Sequence, residues 1–101
     1  MKRAENLRLI YESGIVEYLS ENFPAATIIL FGSYSFGEDT EYSDIDIAVI
    51  ESKEKEVDLT KFDTLLERTI FLHFFGSLKD VDKNLKENII NGIVLKGGIG
   101  L

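Results

Sequence analysis

Two short stretches carry residues whose types and spacing suit phosphate and metal chemistry. Gly32-Ser33 follows directly on the apolar run Thr27–Phe31, and after ten intervening residues come Asp44 and Asp46, separated by Ile45. A glycine at the end of a buried strand lets a phosphate approach the backbone with no Cβ in the way, and a neighbouring hydroxyl donates to its oxygens. Where that serine opens a helical turn, the free N–H groups of the turn face the same anion. Asp44 and Asp46, two apart on an extended segment, project to one side with Cα atoms roughly 6–7 Å apart. Two such carboxylates repel unless a cation lies between them, and Mg²⁺ is the hard ion that hard oxygen donors select. Taken singly, each feature has a plainer meaning. A Gly-Ser after a strand is a common turn, and two acids on an edge strand simply face water.

The surrounding elements must place these residues. Leu7, Ile10, Tyr11, Gly14, Ile15, Tyr18 and Leu19 recur at three- and four-residue steps, which predicts one helix over about 4–22, ended by Asn22 and Pro24. Thr27–Phe31 is short, apolar and β-branched and reads as a buried strand, with Ser33–Gly37 a turn or a single helical turn. From Ser43 the chain alternates, Asp44, Asp46 and Ala48 to one side and Ile45, Ile47 and Val49 to the other, as a second strand requires. Glu51–Glu56 is a solvated loop. Leu59, Phe62, Leu65 and Leu66 mark a helix with Asp58 as its cap. Thr69–Phe75 is the third strand. Matching Ile70, Leu72 and Phe74 to the apolar side of the second strand leaves Thr69, Phe71, His73 and Phe75 facing the acids.

Ser77 and Asp80 resemble a capping box, with Leu78, Val81, Leu85 and Ile89 the stripe of a last helix that stops at Gly92. The apolar tail Ile93–Leu101 adds an edge strand. The order α-β-(turn)-β-α-β-α defines an α/β (α+β) chain: a small mixed sheet with helices packed mainly on one face, the other partly open for chemistry, in a single domain over residues 1–101.

Charge narrows the partners. Lys and Arg number 11 against 18 Asp and Glu, a net −7, which opposes a polyanion-binding surface and so excludes long nucleic acid. A nucleotide stays admissible, because Mg²⁺ and backbone N–H groups screen a triphosphate without basic side chains. The absence of cysteine excludes disulfides and thiolate metal sites. No apolar run approaches the roughly 20 residues of a membrane span, and Glu5 and Arg8 interrupt the segment after Met1-Lys2-Arg3 before a signal core forms. A cytoplasmic protein with no membrane partner is expected.

Jointly the features are far more specific than singly. Gly-Ser, ten residues and then Asp-x-Asp resembles the signature of the DNA polymerase beta nucleotidyltransferase superfamily, and Leu30–Ile47 looks most like its minimal nucleotidyltransferase branch. The resemblance is detailed over Ile28–Ile50 and looser over the rest. It implies a polymerase beta-like fold in which Gly32, Ser33, Asp44 and Asp46 bind the nucleotide and Asp44 and Asp46 hold Mg²⁺ or Mn²⁺. ATP is the implied substrate, AMP the group transferred, and a protein the acceptor; relatives of this size often serve as antitoxins to a HEPN-type ribonuclease partner.

Two residues depart from the family's pattern. His73 stands where a third carboxylate is expected, either as a hydrogen-bonded strand residue or as a replacement acting as metal ligand or general base beside catalytic Asp44 and Asp46. Phe36 replaces an arginine that many relatives place before the glycine matching Gly37, removing a bidentate phosphate donor. The alternative function is a catalytically weakened module that masks a partner protein by binding it. Tyr34 and Tyr42 read as packing residues, and self-association is left open.

Overall fold

The first apolar stripe breaks at Gly14. In the computed structural model, which describes residues 2–98, Lys2–Ser13 (α1) and Ile15–Asn22 (α2) are separate helices. Gly14 lies at φ 85°, the left-handed region that glycine alone enters freely, and that turn ends the helix expected to run unbroken over 4–22. The Ser13 hydroxyl accepts from the Ile15 N–H at 3.2 Å and so starts the second helix. The bend lets Ile10, Ile15 and Leu19, all fully buried, enter one core.

The remaining elements are Thr27–Phe31 (β1), the single turn Ser33–Phe36 (α3), Ile45–Ile50 (β2), Thr60–Leu66 (α4), Ile70–Phe75 (β3), Lys83–Ile90 (α5) and Ile93–Lys96 (β4). The strands form one mixed sheet of order β3-β2-β1-β4. β1 is antiparallel to both β2 and β4, whereas β2 and β3 are parallel, joined through α4. Ile28, Leu30, Ile45, Ile47, Val49 and Ile70 share a core with Ile10, Ile15, Leu19 and Phe62, which places α1, α2 and α4 on one face. On the other face Ile29, Phe31, Ala48 and Ile50 pack with Val81 and Ile89, so α5 covers part of it. The rest of that face, around Asp46 and Phe71, is left partly open.

Several boundaries differ from those the sequence suggests. The last helix starts at Lys83, because the Asp82 carboxylate accepts from the Asn84 and Leu85 N–H groups at 3.0 and 3.1 Å. Ser77 caps only a short 3₁₀ turn, Leu78–Asp80, and does so through the Lys79 N–H; Val81 then extends the chain and separates the two. Asp58, expected as the cap of α4, lies one residue too early: Leu59 is the N-cap and makes no side-chain bond there, while Asp58 accepts from the Thr60 N–H at 3.0 Å. Leu65, placed on the buried stripe by spacing, is 57% exposed. β4 forms the expected edge strand, but Ile99–Leu101 lie outside the described residues. At Gly92 an added Cβ would stand 2.3 Å from the Leu30 carbonyl oxygen, so only glycine lets the chain pass β1 there. Among the described residues no helix is long and apolar enough to cross a membrane.

One buried carboxylate ties these layers together. Asp39, in the α3–β2 connection, has a side chain only 1% exposed. It accepts from Asn6 Nδ2 at 2.8 Å and pairs with Lys2 at 3.4 Å and Arg68 at 3.3 Å. Asn6, itself buried, also donates to the Tyr34 carbonyl at 3.0 Å. α1, α3 and the entry to β3 thus converge on Asp39. Burial alone would push its carboxyl up, but the hydrogen bonds from Asn6, Arg68 and Lys2 outweigh that and hold it below the ordinary carboxylate value. Burial raises the Tyr34 hydroxyl, and the Asp39 charge adds to the effect.

A group whose folded pKa is depressed contributes stability above its unfolded value, near 3.9, and loses that contribution as pH falls through the folded pKa. Asp39→Asn should therefore lower stability by about 2 kcal/mol at neutral pH, the scale of hydrogen bonds to a charged group. Denaturant melts across pH should show the difference from wild type shrinking below about pH 4.

Candidate active site

Gly32 ends β1 at φ 80°, so the backbone turns there in a conformation that disfavours any side chain. The space confirms the need: a Cβ on Gly32 would stand 2.8 Å from Asp46 Oδ2. The pairing of Phe31 with Asp46 across β1 and β2 sets this contact. The missing side chain leaves bare backbone facing one carboxylate oxygen. Ser33 follows, exposed, as the first residue of α3. Buried Ser35 donates its hydroxyl to the Gly32 carbonyl at 2.8 Å and braces the turn. At the far end Gly37, at φ 71°, admits the start of α1, since a Cβ there would lie 2.6 Å from the Arg3 N.

The other oxygen of Asp46 meets His73. His73 Nε2 lies 3.0 Å from Asp46 Oδ1, a hydrogen bond in which the ring N–H donates to the carboxylate. The imidazole also sets its edge against the Phe31 ring, with centroids 5.2 Å apart. His73 pairs in register with Ala48 and Phe71 with Asp46, so the side of β3 that faces the acids is the one alternation predicted. The structure therefore brings Gly32, Asp46 and His73 together, and His73 reaches its partner diagonally.

Asp44 stands apart. β2 begins at Ile45, leaving Asp44 exposed one residue before the strand. It borders an open cavity of about 370 Å³ with Tyr42, Glu67 and Arg68. Glu67, at φ 55° on the end of α4, lines that cavity and does not join β3. Of the two tyrosines read as packing residues, Tyr34 is buried and Tyr42 is 85% exposed, since the 40–43 turn carries it off the body. Sequence reasoning missed Arg3, whose guanidinium lies 5.5 Å from the Phe36 ring centroid, beside the position where a relative's arginine was expected. It also missed Asp39 and Arg68.

Among the described residues no three His, Cys, Asp or Glu side chains converge as a ready-made metal cage. The donors present are nevertheless of the right kind for a hard cation. Mg²⁺ commonly uses one or two carboxylates and takes its other ligands from substrate phosphates and water. Asp46 beside a backbone with no side chain, with Asp44 at the mouth of the strand, fits such a sparse set.

Residues 12–95 match the model of the nucleotidyltransferase domain family, and the chain belongs to that family. A chain from a toxin-antitoxin crystallised with AMP-PNP is similar at 29% identity and a TM-score of 0.62, the match covering 86% of this chain and 73% of that one. A mutant of the toxin-antitoxin MntA-HpeT shares the fold at 22% identity and a TM-score of 0.52, covering 97% and 75% of the two chains. No curated protein sequence matches.

Gly32→Ala should displace the Asp46 carboxylate and strain the turn, whose φ 80° and ψ −169° only glycine adopts freely, costing about 1–3 kcal/mol for the backbone alone. A thermal melt reads the loss. Replacing Gly14, whose φ 85° and ψ 3° are the milder left-handed α conformation and which has open space around it, should cost less than the change at Gly32.

Proposed function

We propose that this chain transfers AMP from ATP to a protein acceptor, and that the acceptor is a HEPN-type toxin to which it serves as antitoxin in the cytoplasm. The observation that carries this reading is the bare backbone of Gly32 set against the Asp46 carboxylate at the end of β1, in a chain of the nucleotidyltransferase family. The similar toxin-antitoxin chain crystallised with AMP-PNP supports both the nucleotide and the partner.

In this reading the triphosphate lies over Gly32 and Ser33, with the Ser33 hydroxyl donating to its oxygens. Asp44 and Asp46 hold Mg²⁺ or Mn²⁺, which when bound supplies positive charge to offset that of the phosphates. The acceptor's hydroxyl oxygen bonds to the α-phosphorus as the bond to the bridging oxygen breaks, and pyrophosphate leaves with the electron pair. His73, hydrogen-bonded to Asp46 on the same face, is placed to take the hydroxyl proton as general base. The edge-on contact with Phe31 and the bond to Asp46 hold its ring in one orientation.

One observation favours the second reading, a weakened module that acts by masking its partner: no three-ligand cluster exists among the described residues, as expected if His73 has replaced a third carboxylate. Two measurements separate the readings. With ATP and Mg²⁺ at a hundredfold excess over the dissociation constant, stability should rise by about 2.7 kcal/mol in wild type and not in an Asp44→Asn, Asp46→Asn double variant. Equal shifts in the two proteins would remove the site assignment. With labelled ATP and a HEPN toxin as acceptor, His73→Ala should reduce transfer by about 10²–10⁴-fold if the imidazole is the base. Higher transfer in His73→Asp than in wild type would instead identify a weakened enzyme whose third ligand had been lost. Absent transfer with toxin binding intact would leave the masking module.

A further inference from the structure

Arg3 is a cation in a place that does not suit one. It lies half-buried in the first turn of α1, where the helix dipole disfavours positive charge. Its charged neighbours in that turn are answered elsewhere. Lys2 pairs with Asp39 at 3.4 Å, and Glu5, the acid of the turn, goes to Arg8 at 3.6 Å. Among the described residues no carboxylate pairs with Arg3, in a chain whose 18 acids outnumber its 11 basic residues. Its guanidinium lies instead over the Phe36 ring, 5.5 Å from the centroid. A ring face attracts the cation but uses none of its N–H donors in hydrogen bonds to oxygen.

Phe36 ties that guanidinium to the candidate site. Ser33 and Phe36 stand three apart in α3, so their side chains share one side of the turn, and they are its less buried residues while Tyr34 and Ser35 are buried. Helical Cβ atoms lean toward the N-terminal end, which tips the Phe36 side chain back toward Ser33 and Gly32. The backbone brings α1 to the same place. At Gly37, next to Phe36, an added Cβ would stand 2.6 Å from the Arg3 N. Arg3 is thereby held one turn along α3 from the bare backbone of Gly32 and the Asp46 carboxylate.

On the nucleotide reading given above, we infer that Arg3 binds the outer phosphates of the triphosphate and is the residue by which the site favours a triphosphate over a monophosphate. With the α-phosphate beside Asp46, where the new bond forms, the outer phosphates continue past Ser33 along the side of α3 that carries Phe36. Arg3 meets them there with a planar fork of N–H donors, which suits phosphate oxygens two at a time. Lys2 and Arg68 cannot serve in its place, because Asp39 already holds both.

Calorimetry with Mg²⁺ present tests this on the whole chain. Arg3→Met keeps an unbranched apolar stem over Phe36 and removes the fork, so a thermal melt without ligand should change little. Its affinity for ATP should fall by about tenfold or more, the scale of hydrogen bonds to a charged group. Its affinity for AMP, which lacks the outer phosphates, should stay that of wild type. Inorganic triphosphate should compete with ATP in wild type and lose that ability in the variant. Arg3→Lys, which keeps the charge without the fork, should fall between the two. Three results would overturn the role of Arg3 and leave the nucleotide reading standing: ATP bound equally by wild type and Arg3→Met, ATP and AMP weakened alike, or competition by inorganic triphosphate that survives the substitution. A wild type that binds neither nucleotide would remove both.

Discussion

The buried carboxylate of Asp39 is the constraint on which the rest of the arrangement depends. It lies in an irregular connection with its side chain almost wholly out of water, where an ionised group is tolerated only if its oxygens are satisfied. Asn6 from α1, Lys2 at the start of that helix and Arg68 at the entry to β3 meet the requirement together. Because Asn6 and Lys2 belong to α1 and Arg68 to the entry of β3, and Asn6 also holds the Tyr34 carbonyl, satisfying one charge fixes the relative positions of α1, the α3 turn and β3. The cost is visible in Arg68, whose Nε is buried without a partner among the described residues. A net of hydrogen bonds to one charge is worth more in this low-dielectric setting than the same bonds in water.

From that clamp follows the geometry at the open face. α3 is held against the start of α1 where Gly37 permits close approach, and Gly32 is thereby held at the end of β1. The adjoining carboxylate of Asp46 is crowded from two sides, with one oxygen against the Gly32 backbone and the other bonded to His73. A side chain so placed has little rotational freedom left to lose on binding, which is what a site for a charged ligand requires. Asp44, one residue outside the strand, has no such restraint and retains its freedom at the edge of an open cavity. The two acids that look equivalent in sequence are therefore unlike in the fold.

The β3 edge adds a second consequence of topology. The chain makes β3 through a crossover helix and ends the sheet there, so its apolar residues must find cover from α-helices on one face and from little on the other. Phe74 is covered by Phe23, with ring centroids 5.4 Å apart, while Phe71 two strand positions from His73 is left in the open.

Much of this was legible in the sequence, for physical reasons that are local. A strand's side chains alternate with period two, so Ile45, Ile47 and Val49 had to share a face with each other and, by matching, with Ile70, Leu72 and Phe74; the register agrees. Glycine directly after an apolar strand announced a turn that no side chain could enter, and Asp-x-Asp announced two acids of one parity. What tertiary structure alone decided rests on groups distant in the chain. Asn6 reaches Asp39 across 33 residues and His73 reaches Asp46 across 27, and no periodicity encodes such meetings. Gly14 fits a helical stripe by spacing and breaks it by conformation, while Ile10, Ile15 and Leu19 on either side of the break still enter one core. Ser77 and Asp82 both offer a cap, and the choice fell to Asp82 because its carboxylate meets two free N–H groups where Ser77 meets one. Local rules settle which face a residue occupies; the packing of distant elements settles what it meets there.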